Sequence, residues 1–235
     1  MTVEDIFIFP IGSYEYHGVE MPADTDSVIA QHIAKDFAKN FQVKFSGRVT
    51  LLPVLNFGLS LEHKGFPQTV YVSHQAFYGF IWELLDSMAK DNAILFIVNG
   101  HGGNIHALSS LEADFNYVHK TCKLIASLIY AHTIKDLCID LFGEFDVHAG
   151  SVEASLMAFY QNQPKREYTI SGLTPKEFSG SLRFFRTIEL YPQGVIKKLP
   201  TVIADPVKGK ILHDAILNQL HADLTILLSK LNNFS

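Results

Sequence analysis

Cysteine is nearly absent from this chain: Cys122 and Cys138 are the only two among 235 residues, and they stand in no metal-binding or redox spacing. That excludes a disulfide framework and a thiolate metal centre, and predicts two reduced thiols in a cytoplasmic protein. Charge is scarce too, at 18% of residues against about 25% in a typical domain. The net charge is −5 and no Lys/Arg run exceeds two residues, which argues against nucleic acid or an anionic membrane as partner. Long apolar runs are missing. Asp5–Ile11 is apolar but far too short to span a bilayer, and no basic leader precedes it. No Pro/Gly/Ser-rich linker, repeat or low-complexity segment divides the sequence, so residues 1–235 are expected to form a single domain. A chain of this length buries roughly 70–75% of its unfolded surface and needs no structural metal to fold. Any metal it holds is therefore expected to be catalytic. Hydrophobic residues reach 48%, and with so little charge this predicts extra buried surface, most simply a homo-oligomer.

What is present is an alternation of two patterns. Ile6–Ile11, Val49–Leu55, Ala93–Val98 and Lys123–Ile129 are short apolar runs rich in Ile, Val, Leu and Phe, as strands covered on both faces should be. Between and after them, Asp26–Phe41, His74–Met88, Asn104–His119, Ser151–Tyr160 and Ile211–Leu231 carry apolar residues near a 3.6 period. Such alternation implies βαβ crossovers and a mostly parallel sheet. Residues 164–207 hold five of the nine prolines and read as irregular, with short strands around Ser181–Ile188.

Ligands of open α/β sheets sit beyond the carboxyl ends of the strands. Two such exits are rich in metal-binding side chains flanked by glycine: Gly12-Ser13-Tyr14-Glu15-Tyr16-His17-Gly18 and Asn99-Gly100-His101-Gly102-Gly103-Asn104. In an extended segment Glu15 and His17 point the same way about 6.6 Å apart, a spacing that grips one metal or straddles a pair. Asp26 opens a helix, where it also reads as an ordinary first-turn acid. The glycines around His101 permit positive φ and close backbone approach, although a tight turn with an incidental histidine fits the same run. That run lacks the spacing of a dinucleotide or Walker loop. In His148-Ala149-Gly150-Ser151-Val152-Glu153, five helical residues turn by about 500°. His148 and Glu153 can therefore share a cavity only if His148 lies in the loop before the helix, at a glycine entrance where its side chain can swing. Trp82, the only tryptophan, lies on an apolar helix face and reads as core.

These three segments together resemble the creatininase (creatinine amidohydrolase) family. Pro22 and Thr25-Asp26, Ser60-x-Glu62-His63-x-x-Phe66-Pro67-x-Thr69, Gly194-Val195 and Asp205-Pro206 extend the likeness in the family's order over about residues 5–210. The resemblance implies a three-layer α/β/α sandwich with a mostly parallel central sheet. It also implies a hydrolase that cleaves the C–N bond of a small cyclic amide or formamide through a hydroxide held by two metals. Carried over, Glu15 and His101 would hold one divalent ion, His17 and Glu153 the other, with Asp26 bridging. His148 would be the acid that protonates the departing nitrogen. Two divalent ions, three carboxylates and one hydroxide would together be neutral. Imidazole and carboxylate donors suit Zn²⁺, with Mn²⁺ and Fe²⁺ also suited. A hexamer is implied as well. A non-catalytic ligand-binding or structural member of the same fold is the alternative, though retained buried acids favour the enzyme.

The chain departs from creatininase itself in three respects. Gly103 stands where that enzyme has a carboxylate, so Glu153 must serve the second ion. Asp140–Val147 lacks the tryptophan expected on the lid before the catalytic histidine, and Ala154 and Gln68 replace a usual threonine and glycine. Formamide deformylases of flavin and deazaflavin synthesis and peptidases of the mycofactocin pathway are branches it resembles equally well.

Overall fold

Strict alternation of side chains along two central strands builds this molecule around one sheet. In the computed structural model, which describes residues 3–129, 132–146, 148–172 and 186–233, β1 (Asp5–Ile11) and β3 (Ala93–Asn99) pair in parallel from Asp5↔Ala93 to Ile11↔Asn99. β2 (Arg48–Leu51) flanks β1 and β4 (Lys123–Leu128) flanks β3, giving the all-parallel order β2-β1-β3-β4. Every residue of β3 is buried. Ile6, Ile8, Ile94, Phe96 and Val98 point to one face. There they meet α1 (Thr25–Gln42), α4 (His132–Phe142), α5 (Ser151–Tyr160) and α7 (Pro206–Asn233). Phe9, Ile11, Ala93, Leu95 and Ile97 point to the other, against α2 (His74–Met88) and α3 (Ile105–Val118). The result is the three-layer α/β/α sandwich. Among the described residues no helix is long and apolar enough to cross a membrane.

Most expected elements are present, and the differences have local causes. The second strand stops at Leu51; Leu52 N still donates to Ile8 O, but the next bond to β1 comes from Leu55 N to Pro10 O, one residue out of register, and Leu55 rejoins the sheet through a bridge to Ile11. α4 occupies a stretch to which no helical period was assigned from sequence. α7 begins at Pro206, five residues before the apolar period becomes regular. A proline is tolerated at a helix start, and Asp205 Oδ1 accepts from Val207 N at 2.9 Å and Lys208 N at 3.3 Å there. The segment 164–207 is more ordered than its prolines suggest: β5 (Arg166–Thr169) pairs antiparallel with β6 (Thr201–Ala204). Of the strands expected around Ser181–Ile188, residues 181–185 lie outside the described residues, while Thr187 and Ile188 belong to a short helix, α6 (Thr187–Leu190). That turn is helical because Glu189 accepts from the backbone N–H of Arg186 at 2.7 Å and closes it.

Trp82 packs edge-on against Phe115 and stacks on Tyr78 between α2 and α3, the core role expected of it. Both cysteines are free and buried.

Candidate functional site: a buried carboxylate–imidazole cluster

The chain runs from β1 to β2 on one side of β1 and then crosses to β3 on the other, so the strand order reverses between β1 and β3. Crevices form at such reversals, and the candidate side chains gather there. Glycine permits the closeness. A Cβ at Gly12 would lie 2.4 Å from Ser27 N, and one at Gly100 2.5 Å from Asp26 O. Only bare backbone at both strand exits lets the first turn of α1 enter between them. Gly100, Gly102 and Gly103 are not among the positive-φ glycines; Gly100 and Gly103 supply close approach and not left-handed backbone, while a Cβ at Gly102 would meet nothing within 4 Å.

All six residues singled out in the sequence converge. Glu15, His17, Asp26, His101, His148 and Glu153 are each buried, with exposures of 7% or less. Glu15 and His17 follow β1, Asp26 opens α1, and His101 follows β3. His148 sits in the loop before α5, bridged to Ile196, and Glu153 lies in the first turn of α5. Asp146 accepts from Ser151 N at 2.5 Å and so caps that helix.

Three of the imidazoles are oriented in one way. His17 Nδ1 is 2.8 Å from Glu15 O, His101 Nε2 3.0 Å from Leu59 O, and His148 Nε2 2.9 Å from Tyr16 O. Each ring donates that N–H to a backbone carbonyl and turns its other nitrogen inward, as metal-binding histidines do. Inward, His17 Nε2 is 3.2 Å from Asp26 Oδ1 and 3.9 Å from Glu153 Oε2. His101 Nδ1 is 3.0 Å from Asp26 Oδ2, and His148 Nδ1 is 3.4 Å from Glu15 Oε1. His148 is thus held, and the swing expected of it is not seen, because the Tyr16 carbonyl fixes its ring.

The electrostatics are those of a crowded, dry cluster. Burial, reinforced by the Asp26 charge, lifts Glu15 to about 7 against the pull of His101. Burial likewise lifts Glu153 to about 8. Burial opposes ionisation of Asp26, but His17 and His101 on its two sides hold its carboxyl well below the usual carboxylate range. Burial also disfavours charge on His17, yet Asp26, Glu153 and Glu15 raise it to about 10. His148 is pushed well below the ordinary imidazole value by burial and by the neighbouring His63 and His17. Opposed shifts of this size among touching groups mark functional sites.

The residues fit divalent ions. Glu15 Oε1 and Asp26 Oδ2 are buried without a hydrogen-bond partner, a costly condition unless something else engages them. Glu15, Asp26 and His101 present donor atoms within 4.8 Å of one another, and so do His17, His148 and Glu153. All are nitrogen or oxygen donors. Above them opens a cavity of about 280 Å³. Glu15, Asp26, His101, His148 and Glu153 line it with the apolar side chains of Ile105, Leu128, Phe145 and Ile196.

Two residues given no role from sequence join the cluster. His63, 3% exposed, lies 3.5 Å from Glu15 Oε1, and Glu62 Oε1 lies 3.9 Å from His101 Nε2. Both come from a 3-10 turn, Leu61–His63, after β2. The visible signal was the Ser60-x-Glu62-His63 match to the family's pattern, to which no role was attached.

The sequence profile of the creatininase family, described as creatinine amidohydrolase, matches residues 1–224. Fold and profile agree: the chain belongs to the creatininase family. It is 30% identical over 150 residues to a mycofactocin precursor peptide peptidase of Mycolicibacterium smegmatis, covering 64% of this chain and 56% of that one. It is 35% identical over 113 residues, 47% of this chain and 45% of the other, to a 2-amino-5-formylamino-6-ribosylaminopyrimidin-4(3H)-one 5'-monophosphate deformylase of Methanobrevibacter ruminantium. The chain thus spans about half the length of the curated relatives it matches. Among solved structures it resembles a tryptophan-to-phenylalanine mutant of creatininase, with a TM-score of 0.72 at 18% identity over 96% of this chain and 92% of that one. Other creatininase structures of the same fold are described as Zn-Zn type and as Mn creatininase.

Proposed function

We propose that this chain is a metal-dependent hydrolase that cleaves the C–N bond of a small cyclic amide or formamide. The observation that carries the proposal is the convergence of Glu15, Asp26 and Glu153 with inward-turned imidazoles, leaving Glu15 Oε1 and Asp26 Oδ2 buried and unpartnered. Glu15 and His101 would hold one ion, His17 and Glu153 the other, and Asp26 both. Zn²⁺ suits these donors best, with Mn²⁺ and Fe²⁺ also suited, and the Zn and Mn creatininase structures support that choice. Two such ions would acidify a water towards neutrality and polarise the amide carbonyl.

The protein's own residues supply the remaining work. His148 keeps Nε2–H on the Tyr16 carbonyl, so its Nδ1 is the atom that carries a proton to the departing nitrogen. Burial and the neighbouring His63 and His17 favour the neutral form of this ring, the form that can take up a proton before passing it on. Glu153 Oε2 accepts the N–H of Ala149 at 2.6 Å, which ties the acid to the loop bearing His148. Ile105, Leu128, Phe145 and Ile196 exclude water from the reacting bond. A cavity of about 280 Å³ suits a small ring or a formyl group. The formamide-cleaving and peptide-cleaving relatives support C–N hydrolysis as the reaction class. A cytoplasmic homo-oligomer, a hexamer by family resemblance, belongs to the same proposal, supported by the low charge content.

The test combines metal analysis with a hydrolysis screen. Protein prepared without chelator and supplied with Zn²⁺ or Mn²⁺ is expected to bind two ions per chain and to hydrolyse at least one member of a panel of cyclic amides and formamides. Failure to bind any ion would overturn the proposal in favour of a non-catalytic member of the fold.

A further inference from the structure

Glu15 presents its two oxygens to different neighbours. Oε2 lies 3.3 Å from His101 Nε2. Oε1 faces away, 3.4 Å from His148 Nδ1 and 3.5 Å from His63 Nε2, and is buried without a hydrogen-bond partner. The His63 and His148 rings pack with centroids 4.3 Å apart, and one donor atom from each of Glu15, His63 and His148 falls within 4.8 Å of the others. A tetrahedral zinc with bonds of about 2.0–2.1 Å needs donors about 3.3 Å apart. The two Glu15 distances match that edge. His63 Nδ1 is also buried and unpartnered, so nothing in the fold prevents the proton from residing there and the Nε2 lone pair from facing inward.

We propose that Glu15 Oε1, His63 and His148 form a third cation position, filled only by excess zinc, that silences the enzyme by capturing His148 Nδ1. The inference rests on the reading of His148 as proton carrier. This position has a single carboxylate, which it shares with the ion held by His101. A third divalent ion would also give a buried, otherwise balanced centre an excess of positive charge. It therefore binds last and most weakly. Two of its three donors are imidazoles, which favour Zn²⁺ over Mn²⁺, so excess zinc inhibits where excess manganese does not.

Equilibrium dialysis of the full chain against rising zinc chloride, with bound metal measured by mass spectrometry, is expected to show two ions first and a weaker third. Hydrolysis should fall on the order of 10²-fold as the third ion binds, the loss expected when a proton-transfer group is blocked. His63→Asn is expected to keep the first two ions and to lose the third step together with the zinc inhibition. An unfolded variant would leave the decision to wild-type crystals soaked in excess zinc. An anomalous zinc peak between Glu15, His63 and His148 is then the expected result, and its absence beside two occupied positions overturns the proposal. A third ion held equally well by His63→Asn overturns it too. Fewer than two ions on the wild type at every zinc concentration would instead overturn the metal-dependent function on which this inference stands.

Discussion

Asp26 is the residue on which the cluster turns. Its two oxygens face different imidazoles, Oδ1 towards His17 and Oδ2 towards His101. Asp26→Ala is therefore expected to lose both ions, while removal of a ligand to one ion should leave the other in part. Metal content of the purified variant checks this, and full retention of one ion would contradict a bridging role. His148 and His101 make a second comparison. His148→Ala should keep its full metal content yet lose roughly 10²–10⁴ in kcat, the usual worth of a proton-transfer group. His101→Ala should lose metal and activity together. Metal and turnover measured on the same preparations decide the matter; a metal-depleted His148→Ala beside a fully loaded His101→Ala would reverse the two roles. These residues were legible because each adjoins a strand exit or a helix start. Glu62 and His63 were visible only as part of the family's pattern and without a role, because a 3-10 turn carries no apolar period to announce which way its side chains face.

Helices show what periodicity conveys and what it omits. α2 and α5 begin and end where their apolar stripes do, since packing against the sheet dictates both. α4 carries as regular a stripe, Ile134, Leu137, Cys138, Leu141 and Phe142, although no helix was assigned to it from sequence. β5 was missed because Arg166-Glu167-Tyr168-Thr169 is a mostly exposed ribbon with no hydrophobic alternation, and β6 because only four residues, Thr201–Ala204, carry its alternation. The layer of α1, α5 and α7 carries a prediction of its own. His213 on α7 is buried, with Nδ1 2.9 Å from the Tyr160 hydroxyl of α5 and Nε2 3.3 Å from Asp36 of α1. Burial holds it below the ordinary value of 6.5 although Asp36 and Asp214 pull the other way, and burial lowers His32 and His221 on the same layer. Such rings stay neutral in the fold but protonate in the unfolded chain. As pH falls below about 6.5 the unfolded state binds more protons, and stability is lost. Set against the opposite trend from the raised carboxyls of Glu15 and Glu153, His213 adds a downward slope of melting temperature between pH 6.5 and 5. In His213→Gln that slope should be shallower, with a lower melting temperature at pH 7.5 from the lost bonds, worth about 1 kcal/mol each. Parallel pH profiles for variant and wild type would refute the assignment.

At the scale of the molecule, the alternation of strand and helix was enough to place the site, because strand order reverses between β1 and β3 and both exits carry the ligand residues. Substrate choice lies elsewhere, in connections that obey no periodic rule. The resemblance to creatininase leads one to expect an indole over the catalytic centre, close before His148. Here Phe142 of α4 turns into the core and is 7% exposed, while Phe145 faces the cavity. Trp82 is committed to the α2–α3 layer, on the far face of the sheet from α5. No indole lines the cavity among the described residues; what surrounds the cluster is Ile105, Leu128, Phe145 and Ile196. Three aliphatic side chains and one phenyl ring offer a flat, polar ring such as creatinine a single stacking face and no indole N–H. The side chains proposed to hold the metals are nevertheless all present and gathered in one buried cluster. Creatinine turnover is therefore expected to be weak or absent in fully metallated protein that hydrolyses another amide. Steady-state kinetics on one such preparation check this, and a creatinine kcat/KM at the roughly 10⁴ M⁻¹s⁻¹ of ordinary enzymes would show that this wall, with Phe145 as its one ring, serves creatinine as well as an indole does.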